Sequence, residues 1–143
     1  MAKFMKMLNN ISRSQAIYRS SKISADDLQS SHYAYALAIC REPGRSQDEL
    51  AAELCVNKST VARNLNYLQE KGYVSREAIP QDKRQLSVFP TEKLLKIIPE
   101  IREVSREWRR LLSAGIPEAE LVVFDSVLQR MEAKAREILE EQE

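Results

Sequence analysis

The residues of this chain best suited to chemistry are hydrogen-bond donors rather than nucleophiles. Between Asn57 and Gly72, Val61, Leu65 and Leu68 recur at helical spacing and must face a core. The first two turns therefore show Lys58, Ser59, Thr60, Arg63 and Asn64 on the other side. These types suit a duplex groove: Arg bonds guanine bidentately, Asn bonds adenine, and hydroxyls reach base edges or phosphate. Alone, this face would equally suit a solvated helix. Gln81-Asp82-Lys83-Arg84 then sets two cations beside one acid at the tip of a predicted hairpin. A cationic tip beside such a helix can enter the narrow minor groove, where negative potential is high. Asp82 fits that site if it pins Arg84 or Arg76 by a charge-assisted bond, which lowers the entropy cost of inserting a long side chain. No catalytic set accompanies these residues. The one His pairs with no Cys or Ser nucleophile, and there is no Gly-rich phosphate loop, so the chain is not expected to be an enzyme.

The elements that must position these residues are legible nearby. Ser46 and Glu49 form an S-x-x-E capping box that opens a helix through Leu50, Ala51 and Leu54. Ser46 and Gln47 stand at its N-terminus, where phosphate is favoured. Cys55-Val56 is a tight turn, Asn57 an N-cap for the next helix, and Gly72 its C′ residue. Tyr73–Ala78 and Gln85–Phe89 read as strands joined by a polar loop, Ile79–Arg84. Two helices joined by a turn and followed by a hairpin make a winged helix-turn-helix. Upstream, Phe4, Leu8, Ile11 and Tyr18 mark a helix from about Lys3 to Arg19, and Ser30 or Ser31 caps a second helix ending before Pro43-Gly44. Downstream, Thr91 caps a long helix, about 92–113, with Pro99 inside it and a bend expected there. Pro117 opens a last helix at N1, whose Leu121, Phe124, Leu128, Met131, Ala135 and Ile138 form a heptad seam.

The chain has 143 residues, 30% of them charged, and only 3 glycines, which suits one helix-rich domain. The expected class is mainly α with a small β-hairpin wing. Residues 28–90 would form the DNA-binding region, and 1–22 with 91–143 a helical region. The net charge of +1 hides segregation: residues 1–24 carry five cations and no acid, whereas 117–143 are strongly acidic. A near-neutral protein still binds nucleic acid when one face is basic. No apolar run approaches the ~20 residues that span a bilayer, and no signal peptide is read at the N-terminus. No membrane partner is expected, and the cytoplasm is the expected location. Cys40 and Cys55 form no CxxC and have no His nearby, so neither a metal nor a cofactor is expected.

At this level of detail the sequence resembles the MarR (multiple antibiotic resistance regulator) family of bacterial transcription factors. The resemblance rests on PGRSQDELAAELCVNKSTVARNLNYLQEKGYVSR, then DKR, then PTEK, and runs from Leu28 to the C-terminal helix. It implies an obligate homodimer whose N- and C-terminal helices interlock, with Phe4, Leu8, Ile11, Leu121, Phe124, Leu128 and Met131 at the interface. Ser59, Thr60, Arg63 and Asn64 would then face the major groove of double-stranded DNA, Arg84 would enter the minor groove, and Asp82 would hold the wing. It also implies repression of promoters and release from DNA when a small phenolic or other lipophilic effector binds between the two regions. His32, Tyr33, Tyr35 and Trp108 lie near where that pocket would be, although aromatics at helical spacing are more often core and His32 reads first as a surface or capping residue. Three features depart from the family pattern. Thr91-Glu92-Lys93 is not followed by Gly, Cys55 occupies a turn position where Gly or a small residue is common, and the first cysteine is Cys40, so the N-terminal reactive Cys of the peroxide-sensing branch is missing. Two rival readings are a winged helix used only for protein–protein contact and a thiol-based redox regulator acting through Cys40 or Cys55.

Overall fold

A computed structural model describes residues 3–142, with the Lys83 side chain outside the described part. The chain divides into two compact units, one ending at Trp108 and one beginning at Arg109.

The first unit holds α1 (Lys3–Lys22), a single 3-10 turn (Ser30–His32), α2 (Tyr33–Arg41), α3 (Gln47–Leu54), α4 (Lys58–Glu70), β1 (Val74–Ile79), β2 (Asp82–Pro90) and most of α5 (Glu92–Ser113). Its core gathers Tyr33, Ala36 and Ile39 from α2, Leu50 from α3, and Val61, Leu65 and Leu68 from α4. Val74, Val88, Leu94, Ile98 and Ile101 add to it. The apolar spacing of α4 thus does what the sequence requires of it. α1 runs one turn past Arg19 and contributes no buried residue. α2 begins later than expected. Neither Ser30 nor Ser31 caps it; the 3-10 turn intervenes, and the Gln29 N–H at its start donates to His32 Nδ1 at 3.0 Å.

The local signals around the helix-turn-helix hold closely. Ser46 Oγ accepts the Glu49 N–H, and the Glu49 carboxylate receives the Ser46 N–H. Asn57 Oδ1 accepts the Thr60 N–H at 2.7 Å. After α4, the Tyr73 N–H reaches Leu68 O and the Gly72 N–H reaches Gln69 O, with Gly72 at φ 82°. This Schellman closure needs a left-handed residue at C′, which Gly supplies. The Leu94 N–H donates to Thr91 Oγ1, so Thr91 caps α5. α5 stays helical through Pro99.

The wing is tighter than the expected six-residue loop. β1 and β2 pair antiparallel from Val74↔Pro90 to Ala78↔Leu86, and then Ile79 pairs with Asp82. Only Pro80 and Gln81 make the turn. The register shift between Ala78 and Ile79 leaves Lys83, Arg84 and Gln85 without partners on β1, so the backbone arches there. Residues before α3 add a third edge. The Val88 N–H donates to Arg45 O and the Gly44 N–H donates to Val88 O, with Ser46 bridging to Ser87.

The second unit is the end of α5, a turn at Gly115 and α6 (Glu118–Glu140). Pro117 is the N-cap of α6 rather than its N1 residue. α6 has no buried residue. Leu121 and Leu128 of its seam are half-buried, while Phe124, Met131 and Ile138 are exposed.

Candidate nucleic-acid interface

α4 is aimed by the turn before it. Cys55 is left-handed at φ 54°, ψ 44°, the one non-glycine positive φ among the described residues. An L-residue with a Cβ costs about 1–2 kcal/mol in that conformation. This is the strain that a Cys in place of Gly predicts. Asn57 then starts α4, and its Oδ1 also accepts the Ser59 hydroxyl at 2.8 Å.

With Val61, Leu65 and Leu68 buried, the opposite stripe of α4 is Ser59, Arg63, Asn66 and Glu70, all exposed. Asn64 lies to one side of it. Its Nδ2 donates to Thr60 O at 2.9 Å and to Tyr35 Oη at 3.3 Å, so both amide hydrogens are taken. Pairing with adenine, which needs one of them, would require breaking one of these bonds. Asn66 is the carboxamide that shares the outward stripe with Arg63. The signal was available in the spacing, one turn further along than the first two turns. Thr60 is half-exposed. Lys58 sits 3.6 Å from Asp48 in an exposed pair. Arg63 has no carboxylate partner among the described residues.

At the wing, Asp82 does not pin a guanidinium. Its Oδ1 accepts the Arg84 backbone N–H at 3.0 Å, closing a local turn that holds the arch. A short Asp side chain two residues back reaches that N–H more readily than the far end of an Arg. The Arg84 side chain is exposed and unpaired among the described residues.

Arg76, the other cation that Asp82 was expected to pin, instead faces the helices. Nε donates to Gln69 Oε1 at 2.6 Å, Nη1 to Gln47 Oε1 at 2.8 Å and Nη2 to Asn66 Oδ1 at 2.5 Å. One guanidinium thus joins β1, the first residue of α3 and two turns of α4, entirely through neutral amides. Partial burial lowers its pKa from the ordinary arginine range. Gln47, expected at a phosphate, has its oxygen turned toward this cation. Ser46 is buried in its cap.

Behind the wing root, Asp27 collects three elements. Its Oδ1 accepts the Tyr73 hydroxyl, Oδ2 lies 3.1 Å from Lys93 Nζ, and its backbone carbonyl accepts the Tyr67 hydroxyl at 2.7 Å. The Tyr73 hydrogen bond, with Lys93 beside it, holds the Asp27 carboxyl below the ordinary carboxylate range. Burial, reinforced by Asp27, pushes the Tyr73 phenol well up. An open cavity of about 530 Å³ is lined here by Ala25, Tyr73, Glu92, Lys93, Lys96 and Ile97.

None of the four residues expected near an effector, His32, Tyr33, Tyr35 and Trp108, lines that cavity. His32 is buried, not at the surface. It stacks on Tyr67 at 4.6 Å, and burial lowers its pKa. Tyr33 is a core residue whose hydroxyl donates to Leu28 O at 3.3 Å. Trp108 packs on Tyr18, with ring centroids 5.3 Å apart. Arg19 of α1, which the sequence did not single out, is half-buried with Nε unpartnered and within electrostatic reach of Tyr33. Cys40 is half-buried and burial raises its thiol pKa, whereas Cys55 is exposed. Among the described residues no group of three His, Cys, Asp or Glu could hold a metal, and no helix is long and apolar enough to cross a membrane.

Comparison with known proteins agrees with this geometry. Residues 26–85 match the MarR family. The uncharacterized HTH-type transcriptional regulator YybA of Bacillus subtilis (strain 168) is 29% identical over 105 residues, covering 73% of this chain and 70% of YybA. The crystal structure of MarR superposes with a TM-score of 0.81 at 33% identity, over 96% of this chain and 93% of that one. A MarR family transcriptional regulator from Listeria monocytogenes, solved in complex with a 26mer DNA, shares the fold at a TM-score of 0.82 and 19% identity, covering 95% of this chain and 88% of that one. The chain belongs to the MarR family of winged helix-turn-helix transcriptional regulators.

Proposed function

We propose that the protein is a homodimeric repressor that grips a pseudo-palindromic operator and lets go when a small aromatic or lipophilic acid binds. The observation that carries the DNA reading is two exposed cations unpaired among the described residues, Arg63 on the outward stripe of α4 and Arg84 on the wing arch. Two guanidiniums without carboxylate partners among the described residues, one on α4 and one on the wing, suit one major-groove and one minor-groove contact. Ser59 and Thr60 at the start of α4 suit phosphate or base edges. Lys58 contributes as a mobile charge, since its exposed pairing with Asp48 is worth little. The L. monocytogenes complex supports the partner class.

The dimer reading is supported by α1 and α6, neither of which buries a residue within one chain. The effector reading is supported by Arg19. A half-buried guanidinium with a free Nε would take a carboxylate, and the Tyr18 ring next to it in the chain, packed on Trp108, would take an aromatic body. The test is a fluorescence-anisotropy titration with the DNA upstream of its own coding region, over a salt series. A DNA binder loses affinity linearly in log salt, and an aromatic acid should reverse the binding. Salt-independent or undetectable binding overturns the reading in favour of a protein–protein module.

A further inference from the structure

We infer that Arg76 sets the DNA specificity of this protein without reading DNA itself, by fixing Gln47, Asn66 and Gln69 so that each presents only N–H donors to the duplex. The inference deepens the DNA-binding reading above and rests on it.

A guanidinium has five donors and no acceptor. The carboxamide end that meets Arg76 must therefore be the oxygen at all three residues, whatever rotation an amide could otherwise take. The distances of 2.5–2.8 Å are those of charge-assisted bonds, and together they use Nε and both terminal nitrogens of the fork. No carboxylate competes for it among the described residues. Each oxygen keeps a second lone pair, but it is turned toward Arg76, so the NH₂ group is the end that each amide turns away from the guanidinium. Asn66 carries one of these on the exposed stripe beside Arg63, and Gln69 is exposed next to it, while Gln47 is half-exposed at the start of α3.

A free Asn or Gln pairs bidentately with adenine because it offers one acceptor and one donor. An amide whose oxygen is turned inward to Arg76 presents its donor end to the groove and not that pair of groups. It can meet only acceptors, which are guanine O6 and N7, thymine O4 or a phosphate oxygen. Arg76 thus turns Asn66 from an adenine reader into a reader of acceptors. It also joins wing and recognition helix, so the spacing between Arg84 and Arg63 depends on the same bonds.

The test is selection from a randomised duplex pool with the full-length protein, followed by anisotropy on the selected sites. Asn66→Ala identifies what Asn66 meets. Loss of preference at one position per half-site marks a base edge, and a uniform weakening over all sequences marks a phosphate; no change in either overturns the proposal. At a base position, the wild type is expected to favour guanine or thymine over adenine by roughly tenfold. Arg76→Met frees the amide and should shift that preference toward adenine. Asn66→Asp keeps an acceptor for Arg76 but replaces the outward donor with an oxygen, so preference should move to cytosine, whose N4 donates. At a phosphate, Asn66→Asp should weaken every sequence more than Asn66→Ala does, and Arg76→Met should loosen the wing and lower specific over non-specific binding. Adenine preferred in the wild type, or an unchanged profile in both Arg76→Met and Asn66→Asp, overturns the proposal. Asn66→Asp alters an exposed side chain and stays informative if Arg76→Met fails to fold. A protein that selects no DNA at all refutes the DNA-binding reading instead.

Discussion

Single side chains in this protein are held by partners that differ in range. Asp82 shows the short range: its carboxylate reaches two residues along the wing and closes on a backbone N–H, leaving Arg84 free at the arch. Arg84→Ala should therefore remove a DNA contact and no fold contact. Specific affinity should fall by about 1–3 kcal/mol if Arg84 reads the minor groove, with the melting temperature unchanged. Anisotropy at physiological salt decides this, and unchanged affinity removes the wing arch from binding. His32 shows the longer range. Its Nδ1 accepts a backbone N–H, its ring lies on Tyr67, and burial holds its pKa below the ordinary histidine value, so the fold favours the neutral ring. Above about pH 6.5 it is neutral in the unfolded chain too and adds no pH dependence. As the pH falls below that value, the unfolded chain takes up a proton that the folded chain does not, and stability drops through the window down to the folded pKa. His32 is the only histidine, and Asp27, held low, titrates at more acid pH. Urea midpoints measured between about pH 7 and pH 5.5 should fall for the wild type and stay level for His32→Gln. A pH-independent wild-type midpoint contradicts this account.

Elements were legible in the sequence where their determinants are local. The Ser46–Glu49 box, the Asn57 cap, the Gly72 closure and the Thr91 cap each depend on residues within a few positions. The apolar spacing of α4 located its core face for the same reason. What the sequence hid was long-range. The arch at Lys83–Gln85 depends on a register shift opposite Ala78 and Ile79, and the third edge at Gly44–Ser46 is made of backbone bonds to β2. The Arg76 cluster draws neutral amides from three elements, and charge counting cannot see amides. Cys55 is intermediate: its departure from the family's usual Gly pointed to strain, and its positive φ locates that strain in the turn. Cys55→Gly relieves a left-handed Cβ but frees the unfolded chain, for a net gain of about 0.5–1 kcal/mol. Thermal melts should show a rise with DNA affinity retained. A lower melting temperature would mean that the contacts of the exposed Cys55 side chain, not its backbone, dominate.

At the scale of the whole molecule, the question is what covers α1 and α6. Neither helix buries a residue, yet α6 repeats apolar side chains at Leu121, Phe124, Leu128, Met131, Ala135 and Ile138, spaced three and four apart. Phe124 at 52% and Ile138 at 49% exposure are far from the isolated apolar residues a surface tolerates, because they share one stripe. The first unit already has its own core, so this stripe is not needed to fold the helix-turn-helix. A second copy of the chain would bury it, and would also supply the second recognition helix that a two-fold operator calls for. Leu128→Glu places a charge in the middle of the seam. The expected result is half the native mass by light scattering, with operator affinity lowered by roughly 10²–10⁴-fold because the two half-sites are no longer bound as one. Ser126→Glu, on the opposite side of the same helix, controls for added charge and should leave both mass and affinity near wild type. If Leu128→Glu keeps the native mass, the α6 seam is not the dimer interface. If it becomes monomeric but binds the full operator as tightly as before, the pairing of half-sites is not what gives the protein its grip.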